Sequence, residues 1–220
     1  MTRLWTIVCA ALLALGIFSF QSHGQPTGDM SVAATTINSG ATAFRIEAEL
    51  RHAGPLYAEI GGHDIQVAEA AFSAWLLNDG KRIAYSAADG AGGYENEGQS
   101  LYIYDVGART SRKVLSSYYV IDEVIALKTR QGRQGLLVKM RDGGLGASHL
   151  AVVDPRRGPV FLRQQAKLLT RQADWMVLGY YHEADWERMT ETMVQPYKTE
   201  RHDVNELLKQ PAMVNTPVVP

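Results

Sequence analysis

The sequence predicts an all-β chain of antiparallel, four-stranded, blade-like repeats, followed by one short C-terminal helix. Three observations carry that class. Residues 71–115 set four short apolar segments between turn residues. Residues 120–163 repeat the same order. Ahead of both, Phe44, Ile46, Ala48 and Leu50 alternate with Arg45, Glu47, Glu49 and Arg51, the period-two pattern of a half-buried strand.

The elements follow in order. Gly54-Pro55 ends the first strand, residues 56–60 form a second short one, and Gly61-Gly62 turns the chain. Residues 71–77 open the first full repeat. Asn78-Asp79-Gly80 is a tight-turn signal, because glycine accepts a positive φ. Residues 81–87 return, residues 89–99 (DGAGGYENEGQ) are too polar and glycine-rich to be buried, residues 101–106 make the third strand, and residues 112–115 begin the fourth.

In the second copy, residues 124–127, 136–140, 150–154 and 159–162 are the strands, and residues 142–146 the glycine loop. Asp105 and Asp154 lie 49 residues apart, whereas Asp89 and Asp142 lie 53 apart. The difference falls in a loop while the strands stay in step, as a structural repeat requires. A weaker third copy takes residues 175–181 as an inner strand, residues 182–185 as a turn and residues 186–194 as its return. Beyond Pro196 the strand pattern fades. Asp203 and Glu206 have capping-box spacing ahead of Leu207-Leu208, which predicts the short helix, and Pro211 ends it.

Phe72-Ser73, Asn78-Asp79-Gly80-Lys81-Arg82-Ile83-Ala84-Tyr85 and Leu101-Tyr102-Ile103-Tyr104-Asp105 together resemble a TolB-type β-propeller repeat. That repeat reads F-S-P-D-G-K-x-I-A-Y, a loop, then L-Y-x-x-D. The match is good over residues 71–115 and fair over 120–163. Asn78 and the extra Trp75-Leu76-Leu77 depart from it. The resemblance implies a bacterial periplasmic setting, or a propeller domain of the kind found in prolyl-oligopeptidase-like peptidases, whose catalytic triad sits in a separate domain. Propellers close with at least about four blades, and two and a part are visible. The expectation is therefore a partial or open propeller-like arrangement, with a ring completed by another subunit or a two-sheet β-sandwich as alternatives. Residues 44–51 are expected to complete the last blade by pairing across the ends.

Domain organisation is read as a signal peptide (1–24), a flexible leader (25–42), the β-blade domain (43–198), and a helix with a loose tail (199–220). Arg3 supplies a positive charge, residues 4–18 are uncharged and mostly apolar, and Ser22 and Gly24 stand at the −3 and −1 positions of a cleavage site. The apolar run falls short of the ~20 residues that span a bilayer, so a periplasmic or secreted product with no transmembrane segment after cleavage is expected. Cys9, the only cysteine, lies in that run. Disulfides and thiol catalysis are thereby excluded from the mature chain.

With 22 basic and 23 acidic residues and a net charge of −1, the chain has no basic stripe for nucleic acid. No catalytic residues, metal site or cofactor are expected. Gly98-Gln99-Ser100 and Gly146-Ala147-Ser148 begin a nucleophile elbow but lead into strands rather than helices. His182, Glu183 and Asp185 lack the second histidine of a zinc helix and are read as a hairpin turn. Asp89, Glu95, Asn96 and Glu97 cluster oxygen ligands in one loop, but their spacing fits no calcium loop.

The candidate binding residues are Asp89, Tyr94, Glu95, Asn96 and Glu97 in that loop, with Tyr102 and Tyr104, which share one strand face opposite Leu101 and Ile103. Exposed aromatics mark contact surfaces. The function expected is an exported, non-enzymatic module that binds a protein or cell-envelope partner, with homodimerisation through open sheet edges as a further expectation. The rival is a small extracytoplasmic hydrolase or carbohydrate-binding accessory.

Overall fold

The computed structural model describes residues 43–47, 52–60, 62–77, 81–88, 98–142, 146–189 and 194–214. It is all-β apart from two short helices, and its strands form three antiparallel meanders. The first sheet runs β1 (Ala43–Ile46), β2 (Gly54–Ile60), β3 (His63–Leu76), β4 (Arg82–Ala88), β5 (Gln99–Asp105) and β6 (Thr110–Ser117), in chain order. The second holds β7 (Val120–Lys128), β8 (Gln134–Arg141), β9 (Ser148–Asp154) and β10 (Gly158–Arg163). The third holds β11 (Ala166–Arg171), β12 (Trp175–Tyr180) and β13 (Lys198–Asp203).

Side-chain alternation explains how the sheets stack. On β5, Leu101 and Ile103 enter one core while Tyr104 enters another. On β8 and β9, Leu136, Val138, Met140, Ala151 and Val153 face the first sheet, and Leu137, Leu150 and Val152 face the third. The second sheet is thus buried on both sides, which is why its central strands read as near-continuous apolar runs. Leu101, Leu136, Leu137 and Leu150 are at most 1% exposed. Each such side chain contributes roughly 1.5–3 kcal/mol by leaving water, which is how a fold without disulfides holds together.

Both full repeats lie where the sequence puts them. The expected C-terminal helix is α2 (Val204–Leu207), capped by the Asp203 carboxylate, which accepts from Asn205 N–H (2.8 Å) and Glu206 N–H (3.1 Å). Three sheets stack, not the two of a sandwich. No buried cluster joins the first sheet to the third among the described residues, so the stack is open.

Several local expectations change. β1 pairs with β2, not across the ends with the last repeat. β3 begins at His63, well ahead of the strand expected from residue 71. The third repeat starts with β11 and ends with β13, whose polar sequence KTERHD is organised by its pairing with β12. Where a hairpin turn and return strand were expected, α1 (Glu183–Arg188) forms instead. The Asp185 carboxylate accepts the His182 N–H at 3.1 Å, and Trp186 packs with Tyr181, Met189 and Val194. Spacing of three places Trp186 and Met189 on one helix face, so burial of the tryptophan selects helix over strand.

Candidate functional site

Strand direction gives the stack two ends. At one, the loop end, lie the end of β4 and the start of β5, the β6–β7 link, the end of β8 and the start of β9, and the end of β12 and the start of β13. Of the sequence-predicted site residues, Asp89, Tyr94, Glu95, Asn96 and Glu97 lie outside the described residues. At the start of β5, Gln99 and Ser100 are buried and polar. Ile121 N–H donates to Gln99 Oε1 (3.0 Å), tying the second sheet to the first, and Gln165 N–H donates to His149 Nδ1 (3.4 Å), tying the third to the second. His149 stacks on Tyr119 with ring centroids 3.8 Å apart and 11° between planes. Both rings are buried.

This arrangement pins sheets together. Burial pushes the His149 pKa down, against the opposing pull of Asp142, so the imidazole is held neutral. Burial, with Asp142 adding to it, pushes the Tyr119 hydroxyl up against a bond from Gln164. A general base needs a proton donor within about 2.6–3.2 Å, and His149 Nε2 has no hydrogen-bond partner among the described residues. Ser100 is fully buried on β5, its Oγ 3.4 Å from that of Ser116.

The face that Tyr102 and Tyr104 share is covered, contrary to the expectation that it could form an open contact surface. Leu56 and Ala58 of β2 lie in one cluster with Ile83, Tyr85 and Tyr104, which is 4% exposed. Tyr102 is half-buried, stacked on Tyr85 at 5.2 Å with the Lys113 ammonium 5.8 Å from its ring. The β1–β2 hairpin has taken this face. Among the described residues the exposed aromatics are instead Tyr118 (53%) and Tyr197 (58%), both at the loop end. Tyr118-Tyr119 is a doublet between strands, and the alternation that buries Tyr119 turns Tyr118 outward.

Among the described residues, the outer face of the third sheet has no such cover. On β12, Met176 and Leu178 are fully buried against the second sheet, while Trp175 and Val177 point the other way and are half-buried. Leu169 on β11 is 43% exposed. Leu169 and Pro196 lie over Gly179 so closely that a Cβ there would come within 3.0–3.1 Å of them. The Arg201 guanidinium sits 4.7 Å over the Trp175 ring. Leu169, Val177 and Trp175, with Pro196 and the exposed Tyr197 next in the chain, form an apolar strip reaching towards the loop end. Sequence reasoning placed β12 as an inner strand and did not single out this face.

The inner face of the same sheet carries the most perturbed titrating groups. Glu200 accepts from Lys198 (2.6 Å) and from the Tyr180 hydroxyl (2.6 Å), bonds that pull its carboxyl down to about 2 against the effect of burial. Burial, then the bond to Glu200, pushes Tyr180 up to about 12. His202 Nε2 lies 3.3 Å from Glu200, yet burial outweighs that attraction and lowers its pKa. These groups are committed to one another and register β12 against β13. No group of three or more metal-ligating side chains forms among the described residues, and no helix there is long and apolar enough to cross a membrane. His182, read from sequence in a hairpin turn, stacks on Tyr197 at 4.2 Å.

No family model matches the sequence, and no curated protein matches it. Among solved structures, the chain is similar to the beta-propeller domain of the Trilobed protease from Pyrococcus furiosus, described as having an open velcro topology. Identity is 15% and the TM-score 0.46, over 72% of this chain and 48% of that one. It is also similar to the Pyrococcus horikoshii acylaminoacyl peptidase, at 14% identity and a TM-score of 0.46, over 74% of this chain and 30% of that one. The chain thus spans about half of the first and under a third of the second.

Proposed function

We propose that the protein is an exported, non-enzymatic binding module that receives a protein or cell-envelope partner on the outer face of its third sheet. One observation carries this reading: the stack is covered at its N-terminal side by β1 and β2, whereas the apolar strip of Leu169, Val177 and Trp175 is uncovered among the described residues. Half-exposed aliphatic and aromatic groups beside an arginine have the composition of a contact surface. The secretory pattern of residues 1–24 supports export. The TolB-type repeat over residues 71–115 supports a periplasmic setting by resemblance.

A photo-crosslinking side chain at Leu169 tests it, in the protein incubated with an envelope extract of its own source. A discrete adduct is expected from Leu169, is absent when the same group sits at Arg109 on the far end, and is lost on adding Val177→Asp. Adducts of the same pattern from both positions would reject the face as a specific site. An adduct of twice the chain mass would identify the partner as a second copy.

A further inference from the structure

At the end of the stack opposite the loops, a groove of about 460 Å³ opens between the first and second sheets, lined by Arg82, Arg133, Gln134, Asp154, Arg156 and Leu208. Among the described residues, Arg133 and Arg156 share the groove with one carboxylate, and that carboxylate is engaged. Asp154 accepts from Arg156 N–H (2.8 Å), Arg157 N–H (3.2 Å) and Arg157 Nε (2.8 Å). Neither Arg133 nor Arg156 makes a side-chain ion pair among the described residues. In a chain of net charge −1, this positive charge is local to the groove and not a general property of the surface.

The cations also leave from fixed backbone. Arg112 donates to the Arg156 carbonyl, and Arg157 donates to the carbonyls of Leu208 (2.6 Å) and Gln210 (2.8 Å), so the β9–β10 turn is tied to its neighbours. The β7–β8 turn closes on the buried Thr129, whose hydroxyl accepts from Arg133 N–H (3.1 Å) and whose carbonyl accepts from Gly132 N–H (2.9 Å). Gly132 has a φ of +80°, which only glycine adopts at little cost. Arg82 opens β4, its carbonyl accepting from Leu77 N–H at 3.1 Å. A backbone fixed before a ligand arrives leaves only the arginine side chains to be ordered on binding.

From this we infer that the groove is a binding site for a phosphate-bearing ligand. The planar fork of arginine matches two oxygens of a phosphate at once, and the volume suits a small phosphorylated group. The adjoining apolar niche between Leu77, Leu127 and Leu136 holds only about 40 Å³. It is too small for an acyl chain, so recognition rests on the anionic head. Binding here is independent of the strip on the third sheet, and either reading stands if the other fails.

The test is calorimetric titration of the protein with inorganic pyrophosphate at low salt. Binding is expected, weakened roughly tenfold or more in the Arg133→Gln, Arg156→Gln double variant and unchanged in Lys167→Gln, which removes an exposed cation from β11. The Arg133→Lys, Arg156→Lys variant restores charge without the fork and is expected to recover only part of the affinity. Vesicles carrying phosphatidate, against vesicles of phosphatidylcholine alone, distinguish the source. Retention on phosphatidate that depends on Arg133 and Arg156 assigns a lipid headgroup, and pyrophosphate binding without retention assigns a soluble ligand. Absence of both, or equal losses in Lys167→Gln, overturns the site.

Discussion

His149 is an imidazole that the fold keeps uncharged, and this has a consequence for acid stability. Its folded pKa lies below the ordinary 6.5 because burial penalises the cation, and His202 shifts the same way for the same reason. The unfolded chain therefore takes up protons near pH 6.5 that the folded chain refuses. The stabilisation is full above that pH and declines as pH falls towards the folded values. Glu200 acts in a separate window. Its carboxyl is drawn from 4.5 to about 2, so its contribution persists through mild acid and is lost only as pH falls below about 4.5. The urea midpoint is expected to fall between about pH 7.5 and about pH 5, with a shallower slope in His149→Phe, which keeps a ring against Tyr119 but cannot take a proton. A flat profile in the parent protein would mean that both imidazoles ionise as freely in the fold as outside it.

At the scale of elements, α2 docks where β8 has no side chain. A Cβ on Gly135 would meet Leu208 Cδ2 at 2.6 Å, a contact that the leucine must rotate to relieve. Gly135→Ala is expected to destabilise by about 1–3 kcal/mol, the usual cost of overpacking. In a Leu208→Ala background that cost should largely vanish, since the obstructing atoms are gone. Equal losses in both backgrounds, measured by thermal melts, would place the cost elsewhere. The glycine was not legible as a docking point, whereas the Asp203 cap of the same helix was, because capping is local chemistry and docking is not. The two full repeats were legible for the same reason: alternation and the turn residues at 78–80 and 142–146 are local signals. β13 was not, because KTERHD has no apolar face of its own and is a strand only beside β12. For the candidate site, alternation correctly put Tyr102 and Tyr104 on one face. It could not reveal that β2 would pack against that face, nor that the outward residues of β12 would stay half-exposed among the described residues.

The whole molecule is a stack in which each layer's stability depends on how many of its faces are packed. The second sheet is buried on both sides, with Leu136, Leu137, Val138, Leu150, Ala151, Val152 and Val153 at 0–1% exposure. Among the described residues the third sheet is packed by a buried cluster on one side, and its edge strands β11 and β13 are mostly exposed or half-buried. Opening the third sheet disrupts one buried cluster, whereas opening the second disrupts two. Local opening free energies follow that difference. Hydrogen exchange should therefore be slow in β8 and β9 and also in β4 and β5, whose strands feed two buried clusters as well, and fastest among the strands in β11 and β13. A partner seated on Leu169, Val177 and Trp175 packs the second face of the third sheet, so its arrival should slow exchange in β11, β12 and β13 and leave β8 and β9 unchanged. Equal protection across all three sheets in the free protein would contradict the layered account. Slowing confined to the β6–β7 link around Tyr118 would move the partner from the sheet face to the loop end.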